Sequence, residues 1–380
     1  MERIALIRSA SSNVPKSSYN VQEIGLAKEL AQKGMYVDVF LISDTGRTYY
    51  EKCGIDDRVT VYRLKGIKIP GQQGIYRELT TILNKNKYDL IQALDDSQIT
   101  TVFVSKYCKK NKIKFVLWQG MYENYPEKFK RIIQYVYDAT LLKILRRNTK
   151  YTISKTTSAQ NYLVSKKFPR GIVIPVGLEI SNFNENNKIN YREKLGIMPN
   201  RKILLYVGKV EERRKPIFCI DVYNKVKEKF PDCCLVYVGK GPMLNQTKEY
   251  AKQKNSKDIF FIDKIPQSEL SGLYQESDIF LLPTRYEIFG MVLMEAMYFG
   301  TPVITYKAAG PIDVISDDID GFTMNNFDSE IWSQKIVEAF EKRDLKEMGK
   351  RGKDKILDEY LWTHIASKYF DEYKRIVEEK

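Results

Sequence analysis

The feature that most constrains this chain is a regular alternation of short apolar segments with amphipathic segments of helical spacing. Arg3–Arg8 and Tyr36–Ile42 are apolar runs, and between them Val21–Gln32 repeats its apolar residues at helical spacing before Gly34. Apolar strands separated by helices predict βαβ units, and these units predict a parallel sheet. Further strands of this first α/β domain are expected at Val59–Leu64, Leu90–Ala93, Lys114–Trp118, Tyr151–Ser154 and Gly171–Pro175.

A second series of strands and helices begins at Lys202–Val207 and continues to Pro302–Thr305. Such regularity predicts a doubly wound, Rossmann-like domain, which binds ligands beyond the carboxyl ends of its strands. A length of 380 residues fits two domains. We expect an N-terminal domain over 1–177, a polar linker over 178–200, and a C-terminal domain over 201–360. A last amphipathic helix is expected over 361–380.

Composition excludes several classes of site. The single histidine, His364, argues against a histidine-based metal site or a Ser-His-Asp triad. The five cysteines include no CxxC pair, which indicates a reducing compartment and no zinc. No apolar run has the length of a signal peptide or a membrane span. We therefore expect a cytoplasmic protein.

The segment Asp278–Thr305 carries the clearest chemical signal. A buried strand is followed by Glu287 and by an apolar helix in which Glu295 is the only charged residue. The free N–H groups at the start of such a helix favour phosphate, and a buried carboxylate needs donors such as ribose hydroxyls. The alternative is structural: Glu287 as an acid of the first turn, and Glu295 bonded to neighbouring protein groups.

The same segment has the form E-x-F-G-x4-E-A-x3-G-x-P-V-I, with Glu287 and Glu295 as its acids. It resembles the E-x7-E signature of retaining glycosyltransferases of the group 1 (family 4) type, which have the GT-B fold. Three more segments resemble elements of that family: Tyr206–Pro216, Val236–Pro242 and Val173–Glu179. The last segment, 361–380 with Trp362, Tyr369 and Tyr373, resembles the family's C-terminal helix, which packs back onto the first domain. The resemblance implies two facing Rossmann-like domains with the donor cleft between them.

The resemblance also implies roles for individual residues. Glu287 would contact the transferred sugar, and Glu295 would contact the ribose. Lys209 and Lys215 would neutralise the leaving diphosphate, although as isolated residues both could be ordinary surface lysines. The other donor-binding candidates are Gly208, Gly239, Ile265 beside Lys264 and Pro266, and the backbone amides of Phe289, Gly290 and Met291.

The implied reaction moves a hexose-type sugar from a UDP- or GDP-sugar to a hydroxyl acceptor, in polysaccharide, lipopolysaccharide or glycolipid synthesis. Cleavage of the sugar–phosphate bond builds negative charge on the diphosphate, which fixed cations and helix N–H groups stabilise. No protein nucleophile, metal or other cofactor is expected. Asp318 and Asp320 form a DxD pattern, but we interpret them as turn residues.

Three positions depart from the family pattern. The first loop, Ser9–Asn20, lacks paired glycines; Gln119-Gly120 stands where the family often has His-Gly; and Lys209 replaces an arginine. Lysine keeps the charge but loses the bidentate fork of arginine.

Net charge is +14, and residues 101–180 hold 16 Lys and Arg against 4 Asp and Glu. Within them, Ile132–Arg147 combines apolar residues with Lys143, Arg146 and Arg147, which together with Gln119 are the acceptor-side candidates. Core packing is the first interpretation of the apolar face. The second is a surface for an anionic membrane or for a lipid-linked or phosphorylated acceptor, with the protein peripheral on the inner face of the membrane.

Three rival interpretations remain open. One is another GT-B enzyme, such as a sugar-nucleotide epimerase or a phosphorylase. Another is a nucleic-acid-binding protein, suggested by the net charge, but no binding module or aromatic platform is present and we expect no nucleic acid partner. The third is an inactive relative that binds a nucleotide sugar.

Overall fold

The structure is a computed structural model that describes residues 2–9, 21–69, 73–125, 128–181, 183, 189–263 and 265–379. The strands are β1 (Arg3–Ile7), β2 (Tyr36–Ile42), β3 (Tyr49–Cys53), β4 (Val59–Leu64), β5 (Gly66–Ile69), β6 (Gln73–Tyr76), β7 (Leu90–Leu94), β8 (Lys114–Gln119), β9 (Tyr151–Ser154), β10 (Ile172–Val173), β11 (Ile203–Val207), β12 (Cys234–Val238), β13 (Ile259–Ile262), β14 (Ile279–Leu282), β15 (Val303–Tyr306) and β16 (Gly321–Met324).

The α-helices of the same residues fall between these strands and after the last of them. They are α1 (Gln22–Gln32), α2 (Leu79–Lys85), α3 (Ile99–Asn111), α4 (Lys128–Ala139), α5 (Leu141–Asn148), α6 (Thr157–Ser165), α7 (Tyr191–Leu195), α8 (Pro216–Lys229), α9 (Leu244–Gln253), α10 (Gln267–Glu276), α11 (Met291–Tyr298), α12 (Ala309–Val314), α13 (Ser329–Lys342), α14 (Leu345–Glu359) and α15 (Trp362–Glu378).

The chain divides into two compact units. The first unit combines Met1–Glu179 with Tyr360–Lys380, and the second is Ile180–Glu359. The linker expected over 178–200 contains the helix α7, which packs against α10 of the second unit and buries Tyr191. The described residues 189–200 are therefore part of the second unit, because the apolar side chain of Tyr191 is more stable in that core than in solvent.

The first unit is built on an eight-stranded sheet in the order β10-β9-β8-β7-β1-β2-β4-β3, in which only β3 is antiparallel to its neighbour. The central strands β1 and β7 are buried along almost their whole length. Burial on both faces by helices explains why these strands are continuous apolar runs. A separate antiparallel pair, β5 and β6, follows β4.

The C-terminal helix α15 belongs to the first unit. The Trp118 indole N–H donates to the Tyr369 hydroxyl at 2.7 Å, and the Tyr373 hydroxyl donates to Gln92 Oε1 at 2.6 Å. The Trp362 ring lies directly on the backbone of Gly177, where a Cβ would collide with it. These contacts fix α15 on the sheet, so the last helix completes the core of the first unit.

The second unit is a six-stranded parallel sheet in the order β13-β12-β11-β14-β15-β16. Numbered within the unit, this is the order 3-2-1-4-5-6 of dinucleotide-binding Rossmann sheets. The order reverses between β11 and β14, so the loops that follow these two strands border the ligand-binding crevice of such a sheet. The candidate site is therefore sought at the carboxyl ends of β11 and β14.

The structure differs from the sequence prediction in the amphipathic stretch between β8 and β9. The stretch Ile132–Arg147 forms two helices, α4 and α5, which are separated at Thr140. The prediction that the apolar residues of this stretch pack in the core is confirmed for α5, where Leu142 and Leu145 are buried. It is wrong for α4, whose apolar side chains at 132, 133, 135 and 136 are exposed.

Candidate functional site

Two glycines shape the loops at the carboxyl ends of β11 and β12. Gly208 and Gly239 have φ angles of +148° and +146°, a region that side chains rarely adopt. A Cβ on Gly239 would collide with the carbonyl oxygen of Gly208. The close backbone approach at these two strand ends therefore requires glycine at both positions.

Glu287 lies in the loop after β14 and is held by arginines from the loop after β11. Its Oε2 is 3.4 Å from Arg213 Nη1 and 3.4 Å from Arg214 Nη2. Arg213 Nη1 also donates to the Tyr286 carbonyl at 2.6 Å, and the Arg285 N–H donates to the Arg213 carbonyl at 2.9 Å. These contacts join the two loops, so the carboxylate of Glu287 has a fixed position at the switch point of the sheet.

Arg214 has hydrogen-bonding capacity that the protein does not use. Only 12% of its side chain is exposed, and its Nε and Nη1 are enclosed with no hydrogen-bond partner among the described residues. A Cβ on Gly208 would collide with Nη1, so the guanidinium lies directly over the end of β11. An enclosed cation with unused donors is costly in isolation and suits an anionic ligand.

The two lysines of the sequence prediction lie on the same loop but do not contact Glu287. Lys209 is exposed and pairs with Glu211 at 2.9 Å. Burial raises the pKa of Glu211, but the hydrogen bond from Lys209 and the charge of Arg213 outweigh it, and the pKa is lowered. Lys215 Nζ lies 4.6 Å from the centre of the Phe327 ring. Both ammonium groups thus lie on the loop that also carries Arg213 and Arg214.

The helix α11 begins directly after Glu287, Ile288, Phe289 and Gly290. Gly290 adopts a φ of +89°, and its carbonyl accepts the N–H groups of Leu293 and Met294. The first turn contains no acidic side chain that could neutralise its free N–H groups. The buried Phe289 backbone is covered by Gly310, whose N–H donates to the Glu287 carbonyl at 3.2 Å. The amides of Gly290 and Met291 therefore lie at the positive end of a helix that begins shortly after Glu287.

Glu295 is fully buried on the inner side of α11. Its Oε2 accepts the Tyr274 hydroxyl at 3.1 Å, and its Oε1 lies 3.4 Å from Gln267 Nε2. The second distance is that of a weak hydrogen bond. In this structure both oxygens of the carboxylate have protein donors, and the structural interpretation of Glu295 is satisfied without a ligand.

A cavity of about 390 Å³ opens after β13 at the place expected for the nucleobase. Ile265 and Pro266 form one part of its lining, and Tyr191 and Glu269 form another. The Tyr191 hydroxyl donates to Glu269 at 3.4 Å, and burial together with the charge of Glu269 raises the pKa of Tyr191 to about 12. Lys264, the other expected nucleobase neighbour, lies outside the described residues.

The acceptor-side candidates of the first unit do not form one cluster. Gln119 is fully buried: its Oε1 accepts the Asp96 N–H at 2.9 Å, and its Nε2 donates to Asp96 Oδ1 at 3.0 Å. Lys143 and Arg147 are exposed on α5, and Arg146 is partly exposed there. Of the first loop, Ser9 is described and buried, and residues 10–20 lie outside the described part.

The DxD pattern forms a turn in which both acids have protein partners. Asp318 has a φ of +62°, and its Oδ1 lies 2.6 Å from Lys335 Nζ. Asp320 accepts the Ser316 N–H at 2.8 Å and pairs with Lys355 at 2.8 Å. Among the described residues, no cluster of three or more His, Cys, Asp or Glu side chains has the arrangement of a metal site.

Sequence reasoning missed Arg213, Arg214 and Glu211. The run Glu-Glu-Arg-Arg between Lys209 and Lys215 was the available signal, because it follows an apolar strand whose carboxyl end borders the ligand crevice of such a sheet. It also missed Tyr274 and Gln267, because donors from a different helix leave no local pattern around Glu295.

Comparison with known proteins identifies the second unit. Residues 187–355 match the family described as glycosyl transferases group 1. This part of the chain is a group 1 glycosyltransferase domain. A relative with a stated activity is the UDP-Gal:α-D-GlcNAc-diphosphoundecaprenol α-1,3-galactosyltransferase of Escherichia coli, 25% identical over 213 residues, which are 55% of this chain and 55% of that one. This chain spans about half or less of the length of the first curated relatives it matches.

Solved structures share the fold of the whole chain. The sucrose-phosphate synthase of Thermosynechococcus elongatus has a TM-score of 0.77 at 20% identity and covers 99% of both chains. HepE from Anabaena, solved in complex with UDP and glucose, has a TM-score of 0.74 at 15% identity and covers 98% of this chain and 100% of its own. At such identities the likeness defines the fold, which is the GT-B fold of two Rossmann-like α/β units.

Proposed function

We propose that this chain is a retaining glycosyltransferase that moves a hexose-type sugar from a UDP- or GDP-sugar to a hydroxyl acceptor. The observation that carries the proposal is Glu287, held by two arginines at the switch point of a group 1 domain and next to the N-terminus of α11. The site combines a carboxylate for sugar hydroxyls with cations and helix N–H groups for a diphosphate. HepE, which has the same fold, binds UDP and glucose.

The proposed catalytic effect is electrostatic. As the sugar–phosphate bond breaks, negative charge develops on the diphosphate. Lys209, Lys215 and the unused donors of Arg214 lie on one loop and would stabilise this charge together with the amides of Gly290 and Met291. Donors that are held in place before the reaction lower the barrier, because they need no reorganisation during it.

Glu287 would hold the hydroxyls of the transferred sugar. Its two arginine contacts orient the carboxylate, so it accepts hydrogen bonds from the sugar. We assign it no role as nucleophile. In the proposed retaining reaction the acceptor hydroxyl attacks on the face that the diphosphate leaves, and a phosphate oxygen takes the acceptor's proton.

The ribose and base would occupy the region between α11 and the cavity after β13. Gln267 makes the longer contact to Glu295, and its own Oε1 has no partner in the described structure. A ribose hydroxyl could therefore replace Gln267 at Glu295 while the Tyr274 hydrogen bond is kept. Ile265 and Pro266 line the cavity in which the base would lie.

We propose that no metal or other cofactor takes part and that the protein's cations neutralise the diphosphate. Transfer measured in the presence of excess EDTA tests this: activity should persist. Loss of activity in EDTA with recovery on addition of Mg²⁺ or Mn²⁺ would show that the assignment of charge neutralisation to Lys209, Lys215 and Arg214 is incomplete.

We further propose a lipid-linked or phosphorylated acceptor and a cytoplasmic protein that associates peripherally with the inner face of a membrane. The name of the Escherichia coli relative specifies a diphosphoundecaprenol acceptor. No helix in the described part of this chain is long and apolar enough to cross a membrane. We propose that a surface of the folded chain makes this association.

The deciding experiment incubates the protein with UDP- and GDP-sugars and a membrane lipid extract, and follows release of nucleoside diphosphate and glycolipid formation. Diphosphate should appear only when acceptor is present. Glu287→Gln should abolish release, and Glu330→Gln, an exposed glutamate on α13, should not. Diphosphate release that is equal with and without acceptor would contradict transfer, as would full turnover by Glu287→Gln.

A further inference from the structure

The helix α4 presents its apolar side chains to solvent. Ile132, Ile133, Tyr135 and Val136 are 62%, 54%, 68% and 63% exposed. At the rotation of an α-helix these positions share one face. Contiguous exposed apolar side chains of this size on a folded chain mark an interaction site.

The opposite face of α4 is polar and is fixed to the first unit by hydrogen bonds. Gln134 is buried and contacts Asn124 Oδ1 at 2.8 Å. The Tyr137 hydroxyl donates to the Asp96 carbonyl at 2.8 Å, and Asp138 pairs with Lys166 at 3.2 Å. These partners orient the helix, so the exposure of its apolar face is built into the packing and does not follow from a free rotation of α4.

The same part of the chain carries exposed basic residues. Lys130 and Arg131 are exposed on α4, and Lys143 is exposed on the next helix, α5. Between α3 and α5 lies a surface groove of about 440 Å³ whose lining includes Lys106, Lys109, Lys110 and Arg147 and no acidic side chain. The acid on α4, Asp138, is already paired with Lys166.

We propose that the outward face of α4 (Ile132, Ile133, Tyr135 and Val136), together with the basic groove of α3 and α5, docks on an anionic lipid bilayer. An exposed apolar face, on a helix that also carries exposed cations, matches a helix that lies in the interfacial plane of a membrane. The apolar side chains enter the acyl boundary, and the lysines attract the headgroup phosphates.

Charge argues against a second copy of this chain as the occupant. Two such surfaces would bring like charges together, which is unfavourable. This inference rests on the proposed function, because an enzyme with a lipid-linked acceptor must reach the bilayer. Binding of the surface to lipid is nevertheless measurable without turnover.

Vesicle flotation tests the surface. Wild type should float with equimolar phosphatidylglycerol and phosphatidylcholine and not with phosphatidylcholine alone. Ile132→Ser/Val136→Ser should weaken binding at least about 10-fold, since each loses apolar contact with the acyl region. Lys106→Gln/Lys109→Gln/Lys110→Gln should weaken binding to the anionic vesicles and reduce its salt dependence. The matched control is Met198→Ser/Ile319→Ser, which removes equally exposed apolar side chains from the second unit and should bind as wild type.

A spectroscopic reporter separates insertion from electrostatic adhesion. Tyr135→Trp should show a blue-shifted emission on addition of the anionic vesicles. Unchanged emission, or equal flotation of Ile132→Ser/Val136→Ser and wild type, would overturn the proposal. So would a wild-type dimer that Ile132→Ser/Val136→Ser converts to monomer in the absence of lipid.

Turnover distinguishes this proposal from the proposed function. Ile132→Ser/Val136→Ser should keep wild-type transfer to a water-soluble acceptor analogue and lose transfer to acceptor in vesicles. Absence of transfer by wild type in both assays, with intact flotation, would contradict the enzyme and not the surface.

Discussion

At the scale of single residues, Arg214 is an enclosed guanidinium on the loop after β11. It contacts Glu287 together with Arg213, and its Nε and Nη1 have no hydrogen-bond partner within the described part of the chain. We expect Arg214→Met to lower kcat about 100-fold, the effect of removing one preorganised donor from a developing anion. The exposed Arg343→Met should have no effect. Steady-state kinetics and a thermal unfolding midpoint are measured for each variant. A wild-type kcat in a folded Arg214→Met would show that Arg214 does not contribute to the reaction.

Lys155 offers a residue-scale prediction in the first unit. Its Nζ lies 3.8 Å from the centre of the Trp118 ring and donates to Gln22 Oε1 at 2.8 Å. Burial lowers its pKa to about 8, although Asp95 and Glu23 oppose the shift and Arg8 adds to it. Unfolded lysine has a pKa of about 10.4. Below about pH 8 the amine is charged in both states, and burial of that charge costs stability in full.

As the pH rises through about 8, folded Lys155 loses its proton while the unfolded chain keeps it. The free energy of unfolding of wild type relative to Lys155→Met should therefore increase between about pH 8 and pH 10, by up to about 1.4 kcal/mol per pH unit. Arg8, whose pKa is raised, stays protonated over this window, and Glu23, whose pKa is lowered, stays ionised. Urea unfolding of both proteins across it measures the difference, and a constant difference would show that Lys155 remains charged in the folded state.

At the scale of elements, α4 and α5 use their apolar residues in opposite ways. Leu142 and Leu145 of α5 are buried, whereas Ile132 of α4 is exposed. We expect Leu145→Ala to lower the free energy of unfolding by about 2–5 kcal/mol, because it leaves a cavity. Ile132→Ser should change it by less than about 0.5 kcal/mol. Urea unfolding of the two variants checks the pair, and a large loss in Ile132→Ser would mean that the apolar face of α4 is covered within the monomer.

The same helices mark the limit of prediction from sequence. β2, β4 and β9 begin and end at the residues predicted, because each is a short, largely apolar run between polar or turn residues. β3 was not predicted, since Tyr49–Cys53 is largely polar and half exposed at the edge of the sheet. Periodicity gave the residues that share a face of α4, but it carries no information about which face the rest of the fold covers.

The candidate site shows the same division. Motif spacing predicted neighbouring loops for Gly208, Lys209, Lys215 and Glu287, because residues after parallel strands meet at one edge of a sheet. Spacing did not identify the partners of Glu287 and Glu295, which come from loops and helices far away in the chain. Such pairings depend on side-chain packing between elements and leave no local signature.

At the scale of the whole molecule, the first unit is assembled from both ends of the chain. Removal of residues 360–380 would uncover the surfaces that Trp362, Ile365, Tyr369, Tyr373 and Ile376 bury. We expect the truncated chain to lose protection against proteolysis in residues 1–179 and to keep it in residues 180–359, whose core contains no part of α15. Limited proteolysis with mass spectrometry reports this, and uniform digestion of both units would contradict independent cores.

The feature on which the proposed function most depends is the binding of a nucleotide-diphosphate sugar by the second unit, through the loop after β11. Its most direct test is calorimetric titration of UDP, GDP and their common sugar conjugates into wild type, Lys209→Ala/Lys215→Ala, and the control Lys225→Ala/Lys248→Ala on α8 and α9. We expect one nucleotide family to bind wild type and the control, and binding to the first variant to weaken at least about 10-fold as the diphosphate loses two cations. No binding by any nucleotide, or equal binding by all three proteins, would contradict the claim.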